Sequence, residues 1–176
     1  FYGVFGSLCH ELLQKLLVGQ IQLDDAIYEY VTEFDARLSG IEVRESVMEK
    51  YREIGMLYFQ NVQFNWLQDW TVLGVEKKVN FSIGDYAFVG FIDLLIQNKD
   101  SGEIVLVDHK TSQWPLGVRG NVLKNQQKSF NAYQRQLYLY CKPVMEMYGQ
   151  APSVLAWNYL QSRQWLRHGF VDSEYE

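Results

Sequence analysis

Gly90-Phe91-Ile92-Asp93 and Val107-Asp108-His109-Lys110, separated by the polar run Asn98-Lys99-Asp100-Ser101-Gly102, carry the reading of this chain. Asp93 sits inside an apolar run from Ala87 to Ile96, and Asp108 follows a second one from Ile104 to Val107. The residues between have hairpin-turn composition, so the two runs read as antiparallel strands. A turn centred between Asp100 and Ser101 sets Asp93 opposite Asp108 across the ladder, and directly opposed residues hold their Cβ atoms about 5 Å apart. Side chains alternate between faces, so Lys110 points the same way as Asp108 while His109 points to the other face. Two carboxylates and an ammonium converge.

Two aspartates that close repel each other by roughly several kcal/mol at an effective dielectric of about 20 unless a cation intervenes. A structural ion-pair cluster on a wet sheet face would meet that demand, and a turn displaced by one residue would remove it. A divalent metal is the more direct remedy. Hard oxygen ligands suit Mg2+ or Mn2+, which accept one or two protein carboxylates and leave positions open for phosphate oxygens.

Outward from the hairpin, the apolar periodicity predicts an α/β chain with a helical front. Leu8, Leu12, Leu13, Leu16 and Leu17 repeat at helical spacing and place His10 on a helix ending near Gly19. A second helix is expected over 23–38, opened by Asp24 and Asp25, and a third, long and aromatic, over about 42–70. The period then changes to that of strands over 71–81, 86–97 and 103–111. Helical spacing returns over 129–147, where Pro143 should bend or break the helix at Cys141-Lys142. Residues 153–160 and 165–171 read as the last strands. No internal repeat, low-complexity tract or linker interrupts the 176 residues, which read as one domain: a helical front over about 1–70, then a sheet and helix over about 71–176.

Composition narrows the class. A 48% hydrophobic content with 15% aromatic residues argues against disorder. No apolar run reaches the roughly 18 residues needed to span a bilayer, and no basic-then-apolar leader is seen, so a cytoplasmic protein is expected. Cys9 and Cys141 are too few and too far apart for a zinc knuckle and should be free thiols. The net charge of −5 is unevenly spread: residues 111–145 hold Arg119, Lys124, Lys128, Arg135 and Lys142 and no acid. A basic segment directly after the Asp-x-Lys strand suits a surface that meets phosphates, although a solvated basic helix face would look the same.

Four motifs, in order, carry a resemblance: Gly6-Ser7-Leu8-Cys9-His10, Gly90-Phe91-Ile92-Asp93, Asp108-His109-Lys110 and Gln136-Leu137-Tyr138-Leu139-Tyr140. At these residues the chain resembles the PD-(D/E)XK nuclease superfamily, and within it the RecB-type nuclease domains. The run from Arg135 to Tyr140, with Tyr148-Gly149 and Pro152, looks most like phage and prophage members. The resemblance implies a restriction-endonuclease-like core, αβββαβ, with a central mixed sheet flanked by helices. It implies Asp93, Asp108 and Lys110 as catalytic residues, and His10 with Asp93 and Asp108 as ligands of Mg2+ or Mn2+. By residue chemistry alone a histidine on a leucine-rich helix is more often a packed residue than a ligand. The resemblance also implies that Gln136 and Tyr140 orient the nucleic-acid backbone or Lys110, beside the basic Arg135 and Lys128. Glu76, on the first strand, is a candidate supporting acid, although beside Lys77 and Lys78 it reads most simply as solvent-facing. His109 reads as packing, with only its backbone carbonyl able to reach the site. Some relatives hold an iron-sulfur cluster with four cysteines, and no such cluster is expected from two.

The activity so implied is metal-dependent hydrolysis of DNA, double- or single-stranded, by an exonuclease in recombination, repair or phage DNA processing, with a recombinase or helicase as a candidate partner. A catalytically silent DNA-binding or recruiting subunit of the same fold is the alternative, although decayed sites usually lose the lysine or an aspartate. An RNA-directed nuclease is another, since no residue pattern reads a 2′-hydroxyl.

Overall fold

The computed structural model describes residues 1–175, leaving only position 176, the end of the expected domain range, outside the described residues. Three helices lead: α1 (Tyr2–Leu17), α2 (Leu23–Leu38) and α3 (Glu45–Asn61). Each exists because one stripe is apolar. Phe5, Leu8, Cys9, Leu12, Leu13 and Leu17 are buried on α1, and Ala26, Tyr30, Phe34 and Leu38 recur at four-residue spacing on α2. A reciprocal capping box between Gln22 and Asp25 opens α2. Close approach of α3 to α2 depends on Gly55, over which the Tyr30 ring lies while its hydroxyl donates to the Tyr51 carbonyl.

The long third helix expected to reach residue 70 ends instead at Asn61. A short 3-10 turn, Asn65–Asp69, follows. Aromatic density misled the reading: Phe64, Trp66, Leu67 and Trp70 leave the helix to cover the sheet face formed by Leu94, Ile96, Val107 and Ala156.

Five strands form one sheet in sequence order: β1 (Trp70–Ile83), β2 (Tyr86–Asn98), β3 (Ile104–Lys110), β4 (Val154–Tyr159) and β5 (Gln164–Gly169). β3 and β4 are parallel and the other neighbours antiparallel, giving the mixed sheet of a restriction-endonuclease-like fold. The crossover between the parallel strands is α4 (Gln127–Tyr148), with Leu137, Cys141 and Val144 packed against Ile92, Leu106, Leu155 and Trp157. Pro143 does not break α4. Burial of Leu137 and Cys141 before it and Val144 after it on the same sheet face outweighs the one backbone hydrogen bond that proline removes. A short α5 (Asp172–Tyr175) closes the described chain, its Glu174 accepting from the Tyr138 hydroxyl. Both cysteines are buried and free, and burial raises the Cys141 thiol to about 12. Among the described residues no helix is long and apolar enough to cross a membrane.

The β2–β3 register is the one expected from the turn: Leu94 pairs with Val107, Leu95 with Leu106, Ile96 with Val105 and Gln97 with Ile104. Asn98 sets it, its side-chain oxygen accepting from the Asp100 and Ser101 amides while Gly102 adopts a φ of 75°.

Gly55→Ala should destabilise the protein by about 1–3 kcal/mol, because the added methyl overlaps a fully buried Tyr30 ring held at both ends. Thermal unfolding by circular dichroism checks this. A midpoint unchanged from wild type would mean that the α2–α3 contact yields without cost.

Candidate metal centre

The ladder between β2 and β3 stops where the site begins. Beyond Leu94 and Val107 no further pair forms, because the Asp93 carboxylate takes the hydrogen bond its neighbour strand would otherwise give: the His109 amide donates to Asp93 Oδ2 at 2.6 Å. The carbonyl of the same residue is used as well. His10 Nε2 lies 2.9 Å from His109 O, and since a carbonyl can only accept, the neutral His10 ring carries its proton on Nε2. Its Nδ1 is left with a lone pair, 3.5 Å from Glu76 Oε1 and 3.7 Å from Asp93 Oδ2.

Glu76 reaches this point through an irregular strand. The β1–β2 register shifts by one residue between Val72 and Gly74, and Glu76 itself has a φ of 45°, unusual for a residue with a side chain. The strand changes face there. Val75 packs with Leu94 and Ile96 on one side of the sheet, whereas Lys77 lies over the Tyr148 ring of α4 on the other. Glu76 is thereby half-buried beside His10, where strand alternation had suggested a solvent-facing side chain. His10, Glu76 and Asp93 each offer a ligand atom, and these atoms all lie within 4.8 Å of one another.

A second group of side chains faces α4. Lys110 Nζ forms an ion pair with the buried Asp108 Oδ2 at 2.6 Å. The ammonium also donates to Gln136 Oε1 at 3.3 Å and lies 4.0 Å from the centroid of the Tyr133 ring. Gln136 Nε2 is 3.5 Å from the Tyr140 hydroxyl, and the Tyr140 ring fills the space over Gly90, where a Cβ would stand 2.5 Å from Cε1. The glycine of one motif therefore makes room for the tyrosine of another.

A histidine on the first helix, an aspartate after a glycine and an Asp-x-Lys strand meet at the opened end of a β2–β3 hairpin. The sequence matches the PD-(D/E)XK nuclease superfamily over residues 2–168. The chain belongs to that superfamily. No curated protein matches it. As a PD-(D/E)XK protein it has phosphodiester hydrolysis of nucleic acid as its implied chemistry, and the superfamily typically uses a divalent metal.

The residues fit such an ion. Burial pushes the Asp93 carboxyl up to about 7, with the Asp108 charge adding to the rise. Asp108 is raised too, chiefly by burial, with Lys110 pulling against it. For His10, burial favours the neutral ring, but the hydrogen bond that a protonated Nδ1 would donate to Glu76 and the charges of Asp93, Glu76 and Asp108 outweigh it and raise the pKa. Crowded carboxylates that resist ionisation in the bare protein are relieved by a cation among them, and the donor set of two carboxylates and an imidazole suits Mg2+ or Mn2+.

The other residues singled out from the sequence fall elsewhere. Arg135 opens onto a cleft shared with Asn131, Gln134, Tyr138 and Glu174 rather than onto Lys110, and Lys128 is exposed in the first turn of α4. The His109 ring packs away from the site, taking a contact of 3.1 Å from Asn158 Nδ2. Tyr133 was not anticipated at Lys110, although its position one turn before Gln136 on the same helix was a usable signal.

Adding Mg2+ or Mn2+ to chelator-treated protein should raise its unfolding temperature, by about 2.7 kcal/mol of stability at a hundred times the dissociation constant. In Asp93→Asn, which keeps an acceptor for the His109 amide, most of that gain should be lost. Differential scanning fluorimetry across a metal titration checks it, and an equal gain in the variant would exclude Asp93 from the binding set.

Proposed function

We propose that this chain is a divalent-metal-dependent deoxyribonuclease of the RecB type, acting as an exonuclease in DNA recombination, repair or phage DNA processing. The observation that carries the reading is the junction of two groups at the end of one hairpin: His10, Glu76 and Asp93 within 4.8 Å of one another, and Lys110 seated on Asp108. A purely structural ion-pair cluster would need neither the departure of Asp93 from the strand ladder nor a left-handed glutamate.

His10 through Nδ1, Asp93 and Glu76 would hold the ion, with Asp108 as the carboxylate between it and Lys110. When bound, a divalent cation supplies Lewis-acid charge to the scissile phosphate. The rest falls to side chains. Lys110 positions the attacking water and offsets the negative charge that accumulates on the phosphate oxygens as the water oxygen bonds to phosphorus and the bond to the leaving oxygen breaks. Gln136 and the Tyr133 ring hold the ammonium in place, and Tyr140 holds Gln136. The water's proton passes to solvent or to the leaving oxygen, so the lysine can remain cationic throughout.

End-labelled linear DNA and closed circular DNA, incubated with Mg2+, Mn2+ or chelator, test this. Metal-dependent loss of linear DNA alone is expected. Cutting of circles would make the protein an endonuclease, and binding without cleavage under any metal would make it a silent recruiting module. Lys110→Ala should lower the turnover about 10²–10³-fold or more. Gln136→Ala should lower it less, roughly ten-fold, since the ammonium keeps Asp108 and Tyr133. A Lys110→Ala variant cutting at the wild-type rate would overturn the mechanism.

A further inference from the structure

The hairpin of β1 and β2 runs far past the strands it supports, forming an arm from about residue 77 to residue 92. One face of the arm is packed. Val79 and Phe81 are buried beneath α4, Phe88 stacks on Phe81 with ring centroids 5.3 Å apart, and Tyr140 meets Phe81 edge-on. The other face is uncovered, although it is not polar. Phe91 is 51% exposed and Val89 66%. Opposite them in the ladder stand Lys78 and Asn80, so this face carries one cation and no carboxylate before Asp85 in the turn.

Its position gives the face a use. Along β2 the row Ala87, Val89, Phe91 leads towards Asp93, with a step of about 6.8 Å between side chains. Phe91 also forms one wall of a cleft of about 570 Å³ whose other lining residues are Gly6, Ser7, His10, Glu11, Gln14 and Glu76. The α1 wall opposite is low at Gly6 and Ser7 and rises at His10, Glu11 and Gln14. The cleft thus joins an exposed phenyl ring to two of the three clustered ligand residues.

We propose that the outer face of this arm is a stacking platform for unpaired bases, with Phe91 as its principal contact, and that the preferred substrate is a single strand of DNA led along the arm into the metal centre. The proposal rests on the nuclease reading above and adds the form of the substrate. Inside a duplex both faces of every base are already stacked and only the terminal pair has one face free, whereas successive unpaired bases can each offer a ring face to Phe91 and Val89. Phe91 and Val89 have no donors or acceptors for base edges, so recognition is tolerant of sequence, and Lys78 beside them meets the backbone. Since Phe91 is exposed, replacing it should leave the fold intact.

Binding in chelator, where no cleavage can occur, separates the possibilities. A mixed-sequence oligonucleotide carrying 2-aminopurine is offered as a single strand and as a blunt duplex to wild type, Phe91→Ala and Phe91→Trp. Phe91→Ala should weaken single-strand binding by roughly five- to a hundred-fold and change duplex binding less than about two-fold, while Phe91→Trp restores affinity and quenches the probe. Equal losses on both forms, or none, would overturn the platform. So would a changed oligomeric state of Phe91→Ala on gel filtration with single-strand affinity intact, which would make the arm a contact between copies of the chain. Cleavage by the wild type in Mn2+ is scored in parallel: if the wild type neither binds nor cuts DNA, the nuclease reading fails and takes the platform with it. If it cuts and Phe91 is indifferent, only the platform fails.

Discussion

The site depends on one peptide unit. His109 gives its amide to Asp93 and its carbonyl to His10, so the two side chains are aimed by the backbone of a third residue. That backbone is itself pinned from behind. The His109 ring is buried, and burial drives its pKa down to about 3, so it is neutral and Nδ1 accepts from Asn158 Nδ2. The same Asn158 amide donates to the Tyr58 hydroxyl at 2.6 Å. One short polar relay therefore ties α3, β4 and β3 together and passes the constraint through His109 to α1 and β2. The relay is not fully satisfied, since with Nδ1 accepting the ring proton sits on the buried Nε2, which meets no acceptor among the described residues, and a partly satisfied buried network is costly.

The charge arrangement works against the fold locally. Asp93 and Asp108 resist ionisation because they are buried near each other, and Glu76 adds left-handed backbone to the same spot. What holds such a site is packing on either side of the sheet. Ile92, Leu106 and Trp157 meet α4 on one side; on the other, Phe5, Leu8 and Leu12 of α1 meet Tyr58 and Leu160. Local disfavour sustained by surrounding structure is the pattern expected where geometry serves chemistry rather than stability.

Much of this was legible in the chain. The hairpin register could be placed because Asn98 and Gly102 have the chemistry of one turn, and a register once set assigns every side chain to a face. His10 could be placed on its helix because the leucines around it keep a strict period. Glu76 could not be read so well. Strand alternation beside two lysines puts it in water, and the register shift near Leu73 that re-aims it depends on pairing with β2, not on local composition; Gly74, against which the Lys77 stem folds, was the only local hint. The end of α3 was missed for a related reason. Phe64 and Trp66 fit an aromatic helix as well as they fit a cover over the sheet, and only the unfilled apolar face beyond Leu94 and Ile96 chooses between them.

The opened ladder also explains why the two halves of the site come from opposite sides of the sheet. Were Asp93 and Asp108 held in a regular pair, both carboxylates would stand on one face, and His10 and Gln136 would compete for it. With the strands parted beyond Leu94 and Val107, the Asp93 carboxylate turns into the gap, within reach of His10 from α1, while Asp108 and Lys110 stay under α4 with Gln136 and Tyr133. Gly90 then matters beyond its own backbone, because any side chain there would push Tyr140 and with it the glutamine that steadies Lys110. Ile92 faces α4 and Leu94 the opposite side although they are only two residues apart, so β2 changes face at Asp93 itself, and that break lets Gly90 admit α4 while Asp93 turns towards α1.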